Sequence, residues 1–86
     1  MNIKKNIALS DTGFVFNPSN GDSFSTNPIG LEIIKMLKEG KSDAEIKSHV
    51  VKTYMTDEPT FEKDLYDFIN MLTKLNLIEA DEKKEN

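Results

Sequence analysis

The chain has 86 residues, no cysteine and a net charge of -4. Its length allows one domain with a modest core, since a chain this short buries only roughly 60% of its unfolded surface. The missing cysteine excludes a disulfide scaffold, a thiolate zinc site and a cysteine nucleophile. The acidic balance repels nucleic acid, whose binders gain affinity by neutralising phosphates with Lys and Arg.

The first segment, MNIKKNIALS, has only Ile7-Ala8-Leu9 as an apolar run. A signal peptide needs about 7–15 apolar residues and a membrane span about 20. A cytoplasmic protein with no membrane partner is therefore expected. Ile3 to Leu9 reads as a first strand. Ser10-Asp11-Thr12-Gly13 reads as a turn, with Asp to start it and Gly to take a positive φ. Phe14-Val15-Phe16 is a second strand, β-branched and aromatic. Asn17-Pro18-Ser19-Asn20-Gly21 is a second turn of hairpin type. Asp22 to Thr26 is a third strand, and a weak one: one aromatic among small hydroxylated residues. Two hairpins in a row predict a three-stranded antiparallel meander, which needs helices over one face to be stable.

Three helices follow. Asn27 is the N-cap of the first and Pro28 its first helical residue. Ile29, Ile33, Met36 and Leu37 form its apolar stripe, and Gly40 closes it. Gly30 sits in the first turn, where Ala would be better by up to ~1 kcal/mol; close approach of another group explains it. Ser42 and Glu45 form a capping box for the second helix, whose stripe is Ile46, Val50 and Tyr54. Asp57-Glu58-Pro59 starts the third. Its stripe is broad: Phe61, Leu65, Phe68, Ile69, Leu72 and Leu75. Asn76 suits a left-handed position after the helix, and Leu77 and Ile78 can fold back onto the core. The expected architecture is α+β and winged-helix-like, three strands and then three helices, in one domain over 1–78. Residues 79–86 form a charged tail with no apolar anchor, expected to fray.

Little in the chain suggests catalysis, a metal or a cofactor. His49 is the only histidine, and nothing stands beside it in a ligand pattern; it reads as a boundary residue. Asp57, Glu58, Glu62, Asp64 and Asp67 read mainly as a solvated face, though some could meet a basic ligand. On a helical wheel Phe68 and Met71 lie toward one edge of the third stripe, next to Asp64. Ile69 and Tyr66 lie toward the other. Either the whole stripe is covered as core, or one margin lines a groove in which Met lends adaptability.

Three stretches in order resemble the PqqD family. Thr26-Asn27-Pro28-Ile29-Gly30 with Ile33-Ile34-Lys35-Met36-Leu37 is similar to its "LNPTG…IL.LL" stretch. Gly40-Lys41-Ser42-Asp43-Ala44-Glu45-Ile46 resembles its "DG.T..EI" segment, and Met71 to Ile78 its closing "FL..L...GLI". Thr26 stands where the family usually has Leu, and Asn76 where it usually has Gly. The resemblance implies a recognition element for ribosomally made, modified peptides. Such a domain binds the leader segment of a precursor and presents it to a modifying enzyme, often a radical-SAM enzyme. It implies docking of the leader as an added strand on the third strand, against the third helix. The docking edge would then be Ser23, Phe24, Ser25 and Thr26. Asp64, Phe68 and Met71 would form the groove wall, a placement that comes from the wheel. Acids on the third helix would suit a leader carrying Lys or Arg.

Two other readings use the same features. A winged-helix DNA-binding module would need basic or amide side chains on its recognition helix; here Lys63 and Lys74 stand among acids. A small protein–protein adaptor would also use the open edge. An unprotected edge beside short hinges is further compatible with a monomer or a strand-exchanged dimer.

Overall fold

The computed structural model describes residues 2–79. Its elements are β1 (Asn2–Ile3), β2 (Ala8–Leu9), β3 (Phe14–Asn17), β4 (Asp22–Ser25), α1 (Pro28–Lys38), α2 (Asp43–Tyr54), α3 (Glu58–Lys74) and β5 (Ile78–Glu79). Strands β2, β3 and β4 form the expected antiparallel meander, in that order, and the three helices follow. A second, two-stranded sheet pairs β1 with β5, Asn2 opposite Glu79 and Ile3 opposite Ile78.

That second sheet corrects the reading of Ile3 to Leu9 as one strand. A continuous strand would set Ile3, Lys5 and Ile7 on one face and drive Lys5 toward the core. The chain instead turns at Lys5-Asn6. The Ile7 N–H donates to the Lys4 carbonyl at 3.2 Å, and the Lys4 N–H donates to the Leu77 carbonyl at 2.9 Å. Ile3 and Ile7 are both buried while Lys5 stays exposed. Glu79, assigned to the tail from sequence, belongs to β5; residues 80–86 lie outside the described residues.

The caps form as the sequence directs. Asn27 Oδ1 accepts from the Gly30 N–H at 2.7 Å, and Ser42 and Glu45 make both halves of a capping box. Asn76 takes φ 63. The Asn76 N–H donates to the Thr73 carbonyl and the Leu77 N–H to the Leu72 carbonyl, each at 3.0 Å. This pair of bonds is a Schellman stop. It throws Leu77 back into the core and delivers Ile78 to β1.

The core is one cluster. Val15 from the sheet meets Ile33, Ile34 and Leu37 of α1, Ile46 and Val50 of α2, and Phe61, Leu65, Ile69 and Leu72 of α3. Each such aliphatic or aromatic side chain, fully buried, contributes about 1.5–3 kcal/mol. Helix α1 buries more than its predicted stripe: Gly30, Leu31 and Ile34 are buried as well, and Ile29 and Met36 only partly. The first helix therefore contributes heavily to the core and packs most closely against β1 and α2.

Candidate functional site

The sheet has one open long edge of interest, the outer side of β4. Register places Val15 opposite Phe24, Phe16 opposite Ser23 and Phe14 opposite Ser25. The Thr26 N–H donates to the Gly13 carbonyl at 2.8 Å, so these two form a hydrogen-bonded pair. Pairs alternate along an antiparallel ladder between bonded and non-bonded. On the other side of β3 the Ser10 N–H donates to the Phe14 carbonyl at 2.9 Å, which points the Phe14 backbone away from β4. Both observations give one phase. Phe24 bonds to β3, whereas the N–H and C=O groups of Ser23 and Ser25 face outward. Their side chains are exposed on the outer sheet face, while Phe24 and Thr26 are half-buried toward the helices.

Helix α3 forms the other wall. At one end, Thr26, Gly30 and Ile33 join Phe61, Asp64 and Phe68 around a hollow of about 280 Å³. At the other end, Asp22, Ser23 and Phe24 join Leu75 and Leu77 around a hollow of about 120 Å³. β4 and α3 therefore run in opposite directions, with the groove between them. Gly30 explains itself here. A Cβ on it would collide with Thr26 Oγ1 and lie 3.3 Å from Phe68 Cζ. Glycine at this position lets the Phe68 ring and the end of β4 close on the start of α1.

The sequence-derived positions thus divide clearly. Ser23, Phe24, Ser25 and Thr26 occupy the open edge or the residue that follows it. Asp64 and Phe68 line the hollow beside Thr26. Met71 is 38% exposed on the same side of the helix, one turn beyond Phe68, but lines neither hollow. Leu75, Leu77 and Phe61 were missed. Each reads as a core residue from sequence, although Leu75 does continue the row of Asp64, Phe68 and Met71 along the helix.

The opposite margin of α3 behaves differently. Tyr66 and Ile69 line a separate hollow against α2, with Asp43, Ala44 and Lys47. Most acids of α3 have local partners. Asp57 Oδ2 accepts from the Thr60 hydroxyl at 2.8 Å and from the Thr60 N–H at 3.0 Å, and these two bonds, the hydroxyl's foremost, hold the carboxyl below its usual range. Lys47 Nζ lies 3.3 Å from Glu58 and 3.6 Å from Glu62, and Lys63 lies 3.1 Å from Asp67. Asp64 has no hydrogen bond or ion pair among the described residues.

His49 is also tied down. Its Nε2 lies 2.7 Å from Glu32 Oε2, and the Tyr54 hydroxyl donates to Glu32 Oε1 at 2.6 Å. The Tyr54 bond first, and the His49 bond second, hold the Glu32 carboxyl below its ordinary value. This is a brace between α1 and α2. Among the described residues no three His, Cys, Asp or Glu side chains gather as a metal site, and no helix is long and apolar enough to cross a membrane.

The family model for Coenzyme PQQ synthesis protein D (PqqD) matches residues 12–78, well over half of the chain. The chain belongs to the PqqD family. The match begins in the turn before β3 and ends at the first residue of β5, so it takes in both walls of the groove. Among solved structures, this PqqD-family chain is similar to TbiB1 in complex with the TbiA(beta) leader peptide. The two share 32% identity and a TM-score of 0.82, over 94% of this chain and 100% of that one. None of the curated proteins matches.

Proposed function

We propose that the protein binds the leader segment of a ribosomally synthesised precursor peptide by strand addition to β4. The observation that carries this reading is the free, outward-facing backbone of Ser23 and Ser25 beside a groove with two hollows. An extended peptide would satisfy those groups, and its alternate side chains would enter the hollows. The likeness to TbiB1, solved with a leader peptide, supports the same reading. In it, Ser23, Phe24, Ser25 and Thr26 supply the docking edge. Asp64, Phe68 and Met71 supply the helix wall, with Phe61, Leu75 and Leu77 at its ends.

The bound leader is presented to a modifying enzyme, a radical-SAM enzyme being one candidate, and the domain itself does no chemistry. A polar β4 suits this work. Its serines offer little apolar surface to a stray strand, which guards an open edge against indiscriminate pairing, while its backbone stays available. Open pairing groups are equally the route by which two copies could exchange strands, and a leader would compete with such a dimer.

The test is a titration of isotope-labelled protein with leader peptides, TbiA(beta) and those of precursors encoded near this chain's own gene. Backbone amide signals of Ser23 to Thr26 and of the Asp64–Leu75 margin shift if the reading holds. A leader that binds and moves only the α2–α3 surface refutes it.

A further inference from the structure

The two hollows of the groove differ in size, and each has one carboxylate in its lining, Asp22 or Asp64. The one near Asp22 is about 120 Å³, with apolar walls from Val15, Phe24, Leu75 and Leu77 and polar ones from Asn17, Asp22 and Ser23. The one near Thr26 is about 280 Å³, with apolar walls from Ile29, Ile33, Val50, Phe61 and Phe68. Four polar residues also reach the larger hollow: Thr26, Asn27, Thr56 and Asp64. Asn27 Oδ1 is committed to the Gly30 N–H at 2.7 Å. Asp64 is the one charged group of the lining, and it lacks a partner among the described residues, although the neighbouring acids Glu58, Glu62 and Asp67 all have lysines within 4 Å.

A long apolar wall with one uncompensated carboxylate at its edge fits one kind of side chain. It must have an aliphatic stem and a cationic tip. Lys and Arg bury their stems along apolar surface while keeping the charge at the wet end. We infer that the larger hollow is a specificity subsite for a Lys or Arg of the docked peptide, with Asp64 receiving its charge, and that the smaller hollow, less than half its size, takes a shorter apolar residue against Val15, Phe24, Leu75 and Leu77. This rests on strand addition to β4. It adds a rule of spacing. Side chains of an added strand alternate between the groove and the outer face. Both hollows lie on the inner side, so the apolar and the basic residue stand an even number of positions apart.

A displayed library of random dodecapeptides, selected on the full chain and on Asp64→Asn, tests this. The expected sequences carry an apolar residue and a Lys or Arg at even separation. Selection on Asp64→Asn keeps the apolar preference and loses the basic one. A selected peptide binds Asp64→Asn about two- to fivefold more weakly, the range for a solvent-accessible ion pair. Its Lys→Met analogue binds both proteins equally, and Asp67→Asn changes neither affinity. Peptides that dock on β4 without a basic residue, or that ignore Asp64→Asn, overturn the subsite. Selected peptides that leave the amide signals of Ser23 and Ser25 unmoved overturn strand addition itself, and the subsite with it.

Discussion

Ser25→Pro separates the docking edge from the fold. The ladder phase turns the Ser25 N–H away from β3, so a proline there removes a donor that the folded chain does not use. Proline is tolerated on an edge strand where its nitrogen faces outward. Ser25 is also exposed, so no packing is lost. Stability should change by less than about 1 kcal/mol, within the range of ordinary surface substitutions. Binding should change much more. A hydrogen bond that water can replace is worth roughly 0.5–1.5 kcal/mol, whereas a peptide carbonyl left unpaired where water is excluded costs about 1–3 kcal/mol, the larger figure applying beside the groove. A net loss of about 1–3 kcal/mol corresponds to a roughly 5- to 150-fold weaker Kd. Fluorescence anisotropy with a labelled leader measures it, and chemical denaturation measures stability on the same sample. Phe24→Pro is the control: its N–H serves the β3 ladder, so that variant should lose stability outright. A folded Ser25→Pro protein that binds within twofold of wild type refutes the docking edge.

Three further outcomes follow from the geometry. Gly30→Ala should destabilise by about 1–2 kcal/mol, because overpacking against Thr26 and Phe68 outweighs a helix-propensity gain of up to ~1 kcal/mol; Thr26→Ala in the same chain should restore part of it, and a stabilised single variant contradicts the contact. Met55 is 88% exposed and held at φ 52, so Met55→Gly should raise stability by about 0.5–1 kcal/mol, the left-handed cost relieved less the entropy of glycine, read from the urea midpoint. Hydrogen bonds hold Glu32, Glu45 and Asp57 below their ordinary values, so their contribution is present at neutral pH and lost as pH falls. Urea midpoints should hold above about pH 5 and decline from about pH 4.5 downward, toward and through the folded values, less steeply in Glu32→Gln; a midpoint that rises on acidification contradicts the sign.

The parts of the fold written in local chemistry were legible. Asn27-Pro28, the Ser42–Glu45 box and Asn76 each announce a helix end, because a cap is a contact between near neighbours in the chain. The split of Ile3 to Leu9 was not, because its cause lies some seventy residues away: Ile3 pairs with Ile78, and the Lys4 N–H goes to Leu77. Gly30 announced a close approach but could not name its partners. Asp64 and Phe68 could be placed on the groove margin from the wheel alone, since helix periodicity fixes which side chains share a side. Leu75 and Leu77 were hidden by their own hydrophobicity, which reads as core whether or not a hollow opens beside them. Lys47 could not be foreseen as the partner of Glu58 and Glu62, because that pairing depends on how α2 crosses α3.

The central claim is that a peptide joins the sheet along β4, and residue-resolved hydrogen exchange tests it most directly. In the free protein the amides of Ser23 and Ser25 face outward and should exchange fast, while that of Phe24, bonded to β3, should exchange slowly. Saturation with a leader peptide should slow Ser23 and Ser25 by at least about tenfold, roughly the effect expected when one added backbone hydrogen bond must open first. Fast exchange at both serines in the saturated complex, with protection gained instead between α2 and α3, would contradict the account.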